Sequence, residues 1–414
     1  MLNAVLAPSL RERRLARWVT PIVLLAALAV ASCGGAGLSP GPVPTGVTGS
    51  GAPAVSGASA SASAAGSAVS PGAVSAAGVA ESPAGLGPAS SVTAFFYPWY
   101  GTAAHDGTWR HWNQLSHKPP GDIASSFYPE RGPYSSRDSA VLAQQMADLK
   151  SARIGSIAVS WWGQGAWDDT TLSAVFVAAE AAGIKIAFHL EPYSGQSAAS
   201  IASDIRYLLT KYGTSPALLR MSDATSGDAS TAARPVFYIF ASSRIPAADL
   251  KATIAGLRGT NLDSIVMVHS PKAVSATRVG ADGVYTYDAM ASPDTFAGLV
   301  SDCRAAHLIC SPSVAPGFDN RNAVATGLIY VDRAAGARYD AMWQAAISAG
   351  AEWISVTSFN EWHEGTQIEP AVAFDNGPRT YAGYEGAYGS ATADAPRAYL
   401  VRTAYWINRF APRG

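Results

Sequence analysis

From residue 91 onward, short apolar runs alternate with stretches in which apolar residues recur at helical spacing, the pattern of βα units wound around a parallel sheet. Eight runs read as strands: 92–98, 154–161, 184–190, 235–240, 264–269, 283–286, 308–314 and 353–359. Most are rich in Val, Ile, Ala and Phe without strict alternation, which suits strands covered on both faces. Helices are predicted between them at 137–152, 169–182, 197–212, 247–257, 294–306 and 338–349, with a last one at 395–410. Gly155, Gly183 and Gly350 stand just before strands, where a positive φ would close the preceding helix. Only the unit after the fifth strand lacks a clear helix.

Eight strands in about 320 residues predict an α/β fold, a (β/α)8 TIM barrel with extended βα loops. A doubly wound sheet is the alternative, but no Gly-x-Gly-x-x-Gly follows the first strand and no phosphate-binding loop is present.

The segment before this pattern has another character. Arg11, Arg13, Arg14 and Arg17 precede an apolar run at 19–31 that is short and Ala-rich for a membrane span, so residues 1–33 read as an export signal. The run ends Val30-Ala31-Ser32-Cys33 and resembles a bacterial lipobox, with Cys33 as the lipid acceptor; an ordinary signal peptide with an incidental Cys is the plainer alternative. Residues 34–91 are almost entirely Ala, Gly, Ser, Pro and Val and read as a disordered tether, leaving 92–414 as the catalytic domain. An exported, envelope-anchored monomer is expected, touching the membrane only through its lipid. Cys303 and Cys310 could pair as a disulfide in an oxidising compartment or remain two buried thiols.

With 29 Lys plus Arg against 30 Asp plus Glu, the formal charge is −1, and no basic face argues for nucleic acid. Eleven Trp and seventeen Tyr supply flat amphipathic rings suited to sugar faces, although many must serve the core. In such barrels working residues stand at the C-terminal ends of strands. Those ends carry Tyr97, Trp99 and Tyr100, with His111 and Trp112 soon after, then Trp162, then His189, Glu191 and Tyr193. Tyr285 and Tyr287 follow the sixth strand, and Asn360-Glu361-Trp362-His363-Glu364 follows the eighth.

Glycosyl transfer to water needs an acid to protonate the leaving oxygen and a second group across the sugar ring, and Glu361 with Glu364 can supply both. Crowding and like charge would raise one carboxyl and leave the other ionised, though spacing alone does not say which. A Glu-x-x-Glu by itself is a weak signal.

Its neighbours make it specific. The segment from Ser358 to Glu369 closely resembles the signature of glycoside hydrolase family 99, the endo-α-1,2-mannosidases and endo-α-1,2-mannanases. So do Phe96-Tyr97-Pro98-Trp99-Tyr100-Gly101, His111-Trp112-Asn113, His189-Leu190-Glu191-Pro192-Tyr193, Asp282-Gly283-Val284-Tyr285-Thr286-Tyr287 and Pro312-Ser313-Val314-Ala315-Pro316-Gly317, in family order over residues 92–410. The resemblance implies a retaining, endo-acting enzyme on α-mannose-containing oligosaccharides or polysaccharides that needs no cofactor. By that likeness Glu364 is the acid and later the base, while Glu361 takes the proton of the substrate's own 2-hydroxyl, so that this oxygen closes on C1 as a 1,2-anhydro sugar. The likeness also implies that His189, Glu191 and Tyr285 or Tyr287 line the reacting subsite, with Trp99, Tyr100, His111, Trp112 and Trp162 shaping its neighbours; Tyr97, Tyr193, Asn360, Trp362 and His363 complete the expected substrate-binding set. The loops 103–134 and 221–233 depart most from the family pattern. Two rivals stand beside this expectation: a metal hydrolase using His105, His111, His189 and His363, for which no ligand spacing is recognised, and a glycan-binding lipoprotein without activity. An enzyme on another α-mannoside or glucosyl-mannoside is a third reading.

Overall fold

The computed structural model describes residues 89–222, 233–391 and 393–410. The predicted signal, lipidation at Cys33, nearly all of the tether and most of the loop 221–233 lie outside them. The first strand already pairs at Ala89, three residues before the strand start expected at 92.

Nine parallel strands follow one another around the sheet: β1 (Ala89–Phe96), β2 (Ile154–Trp161), β3 (Lys185–Leu190), β4 (Arg234–Ile239), β5 (Ile265–His269), β6 (Gly283–Tyr285), β7 (Ile309–Ser311), β8 (Ser313–Val314) and β9 (Ile354–Val356). Each of the first six pairs with the next in chain order, β7 pairs with β6, β8 with β9, and β9 returns to β1. β7 and β8 are halves of the single strand expected at 308–314. Pro312 separates them because proline has no N–H to give a neighbouring strand, and the closing seam of the barrel passes through this break. Every residue of β2 is buried, the hydroxyls of Ser156 and Ser160 included, as expected of a strand covered on both faces.

At one level across the seam the barrel carries small hydroxyls instead of aliphatic side chains. Ser313, Ser355, Thr93 and Ser156 are register partners on adjacent strands. They satisfy one another, Thr93 with Ser156 at 2.7 Å and Ser313 with Ser355 at 2.7 Å, so none of these four hydroxyls is left unpaired.

Besides a single turn at Ala103–Asp106 and short 3-10 turns, the helices among the described residues are α1 (Ser139–Ser151), α2 (Trp167–Ala182), α3 (Ala198–Tyr212), α4 (Ala247–Leu257), α5 (Val274–Val279), α6 (Thr295–Ala305), α7 (Ala337–Ser348) and α8 (Ala398–Ile407). Side-chain caps fix some starts: Asp138 accepts from the first turn of α1, and Ser197 forms a capping box with Ser200 at α3. The fifth unit does have a helix, the six-residue α5, too short to show a period in the sequence. Gly183 and Gly350 have φ of 73° and 72°, as expected of helix closers. Gly155 does not: it lies within β2, and Arg153 makes the turn with φ 60°. Cys303 and Cys310 are buried free thiols, not a disulfide.

The loop after β1 and the segment after β9 fold over each other. Tyr128–Pro129 pairs with Ala371–Val372 as a short antiparallel ribbon, and the amide of Ile123 donates to the Tyr381 hydroxyl at 2.8 Å. These contacts close the C-terminal face beside the seam, and the carboxyl pair stands there.

Candidate active site

Beyond β9 the chain makes a tight irregular turn that carries Glu361 and Glu364. Ser358 cinches its base: its amide donates to the Thr366 carbonyl (3.0 Å), its hydroxyl bonds that of Thr366 (2.8 Å), and the same hydroxyl accepts from the Glu361 amide (2.8 Å). Gly365 has φ 60°, and a Cβ there would stand 2.9 Å from the Asp319 carbonyl, so the turn and the loop after β8 meet backbone to backbone. The Asp319 amide donates to the Glu364 carbonyl at 2.6 Å. On the far side Arg333 donates to the carbonyls of Gly365 (2.9 Å) and Gln367 (2.7 Å), its guanidinium packed against the rings of Phe127, Tyr384 and Tyr399.

Several residues of the expected substrate-binding set bond to this turn or to the protein around it. Asn360 is fully buried and clamps the backbone of Tyr97, its oxygen accepting from the Tyr97 amide (2.7 Å) and its nitrogen donating to the Tyr97 carbonyl (3.1 Å). The Tyr100 hydroxyl donates to the Asn360 carbonyl and accepts from the Trp362 amide. Trp112 and Trp362 have no exposed surface, and their indole N–H groups go to the Tyr134 carbonyl and to Glu369. Tyr193 turns outward to α3, its hydroxyl donating to Asp204 at 2.5 Å. The polar atoms of Asn360, Tyr100, Trp112, Trp362 and Tyr193, all expected in the substrate-binding set, are thus committed within the protein.

The remaining residues converge. Glu361 is buried and accepts from the His363 amide at 3.0 Å. Burial, followed by the negative charge of Glu364 and Glu191, pushes its carboxyl well above the usual range. Glu364 keeps a small solvent-facing edge and accepts from the Tyr287 hydroxyl at 3.1 Å; burial first, with Glu191 and Asp288 adding like charge, raises it to about 7. Tyr287 in turn bonds the Tyr97 hydroxyl, and burial holds both phenols well above their ordinary range. Behind them Glu191 accepts from Ser160 (2.8 Å) and lies 3.0 Å from His189 Nδ1, while His189 Nε2 bonds the Tyr285 hydroxyl at 2.8 Å.

One wall is aromatic. Trp99 stacks on His111 at 4.4 Å, and Trp162 follows at 6.4 Å. His363 donates through Nε2 to the His111 carbonyl (2.8 Å), and burial lowers its pKa to about 4, so at neutral pH it presents an uncharged Nδ1 3.6 Å from Glu361. Burial lowers His111 as well. Trp162 is positioned from α2, whose Asp168 accepts its amide at 2.6 Å; burial raises Asp168 to about 7.

Residues missed in the sequence are mostly such supports: Ser160, Asp168, Asp319, Arg333, Tyr134 and Glu369. A partial signal was available, since Asp168 and Asp169 stand at the first turn of a helix and Glu369 closes the motif segment. For Arg333 and Tyr134 nothing in the linear order foretold the contact. His105 is exposed at the rim beside Asp106, apart from the other histidines, and among the described residues no group of three His, Cys, Asp or Glu is arranged to hold a metal ion.

Two carboxyls at a barrel mouth, raised by burial and mutual charge and lined by phenols and indoles, are arranged for acid–base cleavage of a glycosidic bond; fold and site together define a glycoside hydrolase. Residues 89–412 match the description of Glycosyl hydrolase family 99, and the chain belongs to that family. It is 34% identical over 362 residues to a glycoprotein endo-alpha-1,2-mannosidase-like protein of Danio rerio, covering 77% of each chain. To the glycoprotein endo-alpha-1,2-mannosidase of Mus musculus it is 32% identical over 356 residues, covering 77% of this chain and 74% of the other. The GH99 endo-alpha-mannosidase structure from Bacteroides thetaiotaomicron superposes with a TM-score of 0.70 at 32% identity, covering 78% of this chain and 98% of that one.

Proposed function

We propose that this chain is a retaining, endo-acting α-mannosidase that cuts internal α-1,2 linkages in mannan or glucosylated mannose glycans. The observation that carries it is the Glu361 and Glu364 pair, buried on one turn, each raised by burial and neighbouring carboxylates. A pair so placed holds a shared proton near neutrality. The His363 amide favours the anion at Glu361 against the burial and like charge that raise its carboxyl, and by the family likeness the proton given to the leaving group is assigned to Glu364, beside the Tyr287 phenol.

In the first step Glu364 gives its proton to the leaving oxygen as the C1–O bond breaks. Glu361 takes the proton of the 2-hydroxyl, and that oxygen forms the new bond to C1. In the second step Glu364 removes a proton from water as it attacks C1, the C1–O2 bond breaks, and O2 recovers its proton from Glu361. An axial 2-hydroxyl suits backside closure, which restricts the reacting sugar to mannose configuration. His189, Glu191, Tyr285, Tyr287 and Tyr97 are assigned to the reacting subsite, and Trp99, Trp162 and His111 to the wall of its neighbour, with His363 between them.

Export and lipid attachment at Cys33 are also proposed, on the basic run and the Ala31-Ser32-Cys33 sequence. Cys33→Ser should move the protein from the detergent phase to the aqueous phase; no change would sink the anchor. For the activity, full-length protein is incubated with an α-1,2-branched mannan and with a glucosylated mannose oligosaccharide beside Glu364→Gln. Short oligosaccharides released by the wild type and lost in the variant support the reading, and the productive substrate identifies the branch served. Binding without release would replace it with a glycan-binding role.

A further inference from the structure

Glu369 takes no part in the chemistry above, yet it is a carboxylate without exposed surface at the end of the motif segment. It accepts from the Tyr134 hydroxyl (2.7 Å) and the Trp362 indole (2.9 Å) through one oxygen and from the Gln145 amide (2.8 Å) through the other. Arg131 Nε lies 3.4 Å away, and that guanidinium is anchored by Asp148 of α1, which Arg397 also grips at 2.7 Å. The Tyr134 hydroxyl meanwhile accepts from Asn360 Nδ2 and from the Trp362 indole, both at 3.2 Å.

The two residues flanking Glu361 in sequence, Asn360 and Trp362, are thus tied to one anionic centre rooted in α1 and the start of α8. Burying a carboxylate is costly unless its lone pairs are filled, so an apolar side chain would have been the cheaper filler. A carboxylate offers something an apolar group or an amide does not: two acceptor oxygens that gather donors from three segments at once, with no hydrogen of its own to conflict with them. The donors it gathers are those that set the tilt of the turn.

We propose that Glu369 is a positioning residue for the carboxyl pair: by holding Trp362 directly and Asn360 through Tyr134, it fixes where Glu361 and Glu364 stand relative to each other. The proposal rests on the assignment of those two as acid and base. Displacement of such a pair by about 1 Å can cost on the order of a hundredfold in rate. It also alters the burial and mutual charge that set their proton affinities.

The test compares wild type, Glu369→Gln and Tyr134→Phe on α-1,2-mannan, with kcat, KM, the pH profile of kcat/KM, mannan binding and thermal melting. Glu369→Gln is expected to lower kcat roughly 10- to 100-fold with KM changed less than about twofold, and to displace the alkaline limb of the profile. Tyr134→Phe keeps the charge and the ring but cuts the link to Asn360; a smaller kcat loss with the limb displaced in the same sense is expected. It serves alone if Glu369→Gln does not fold. A merely structural role would lower the melting temperature and the active fraction but leave the limb in place, and that result overturns the proposal, as does wild-type kcat in folded variants. A wild type that binds mannan without cutting it removes the underlying assignment instead, and needs no variant to be recognised.

Discussion

Replacing Glu364 by Gln should abolish turnover and yet make the protein more stable in alkaline solution. The acid's folded pKa rises from 4.5 to about 7 because burial and the neighbouring carboxylates Glu191 and Asp288 oppose its ionisation. Folding therefore favours the protonated form, and that advantage is complete below about pH 4.5 and is lost as the pH climbs through 7. The displacement corresponds to roughly 3 kcal/mol, a ceiling because Glu364 keeps a solvent-facing edge. An amide is uncharged at every pH and can still accept from the Tyr287 hydroxyl, so the variant should match the wild type near pH 5. By pH 8 it should exceed it by up to that ceiling, a few degrees in Tm for a domain of this size. The assay is paired thermal unfolding of wild type and variant at half-unit steps from pH 4.5 to 8.5. A Tm difference that stays flat across this range would refute the claim that burial raises Glu364.

Catalysis should share the same titration: kcat/KM on mannan is expected to fall as the pH rises through about 7, when Glu364 loses the proton it donates. On an α-mannoside whose leaving group departs as a stable anion, Glu364→Gln should regain much of its rate and lose that alkaline limb. Gly365→Ala places a Cβ 2.9 Å from the Asp319 carbonyl at a φ of 60°, so kcat should drop at least tenfold and unfolding should come about 1–3 kcal/mol sooner, as read by steady-state kinetics and denaturant titration. Trp112→Ala removes a fully buried ring and its indole bond, and a stability loss of about 3–5 kcal/mol is expected in the same titration, against less than half that for exposed Leu115→Ala.

Much of this architecture was legible because barrel strands announce themselves as apolar runs and their ends carry the chemistry. The boundaries of β2 and α4 agree with the sequence pattern to the residue, since each is set by a sharp change in polarity. Strand seven was read as continuous because period and hydrophobicity do not register a missing N–H, whereas Pro312 divides it at the seam. The carboxyl pair and the residues around it stood out through their types at strand ends. Harder to see was which aromatic rings are fully buried: Trp112 and Trp362 look like Trp99 and Trp162 in the chain, yet the first two have no exposed surface and spend their indole N–H groups inside the protein. The supports Tyr134 and Arg333 reach the turn across 226 and 32 positions, so no local rule could assign them, whereas Glu369 closes the motif segment but nothing in the chain shows which donors it holds.

The most direct test of the central claim is the anomeric form of the first product. Wild-type protein mixed with α-1,2-mannan inside an NMR tube should release oligosaccharides whose new reducing end is α when first formed and drifts toward the equilibrium mixture afterwards. An initial β product, or mannose alone, would contradict an endo-acting, retaining enzyme built on Glu361 and Glu364.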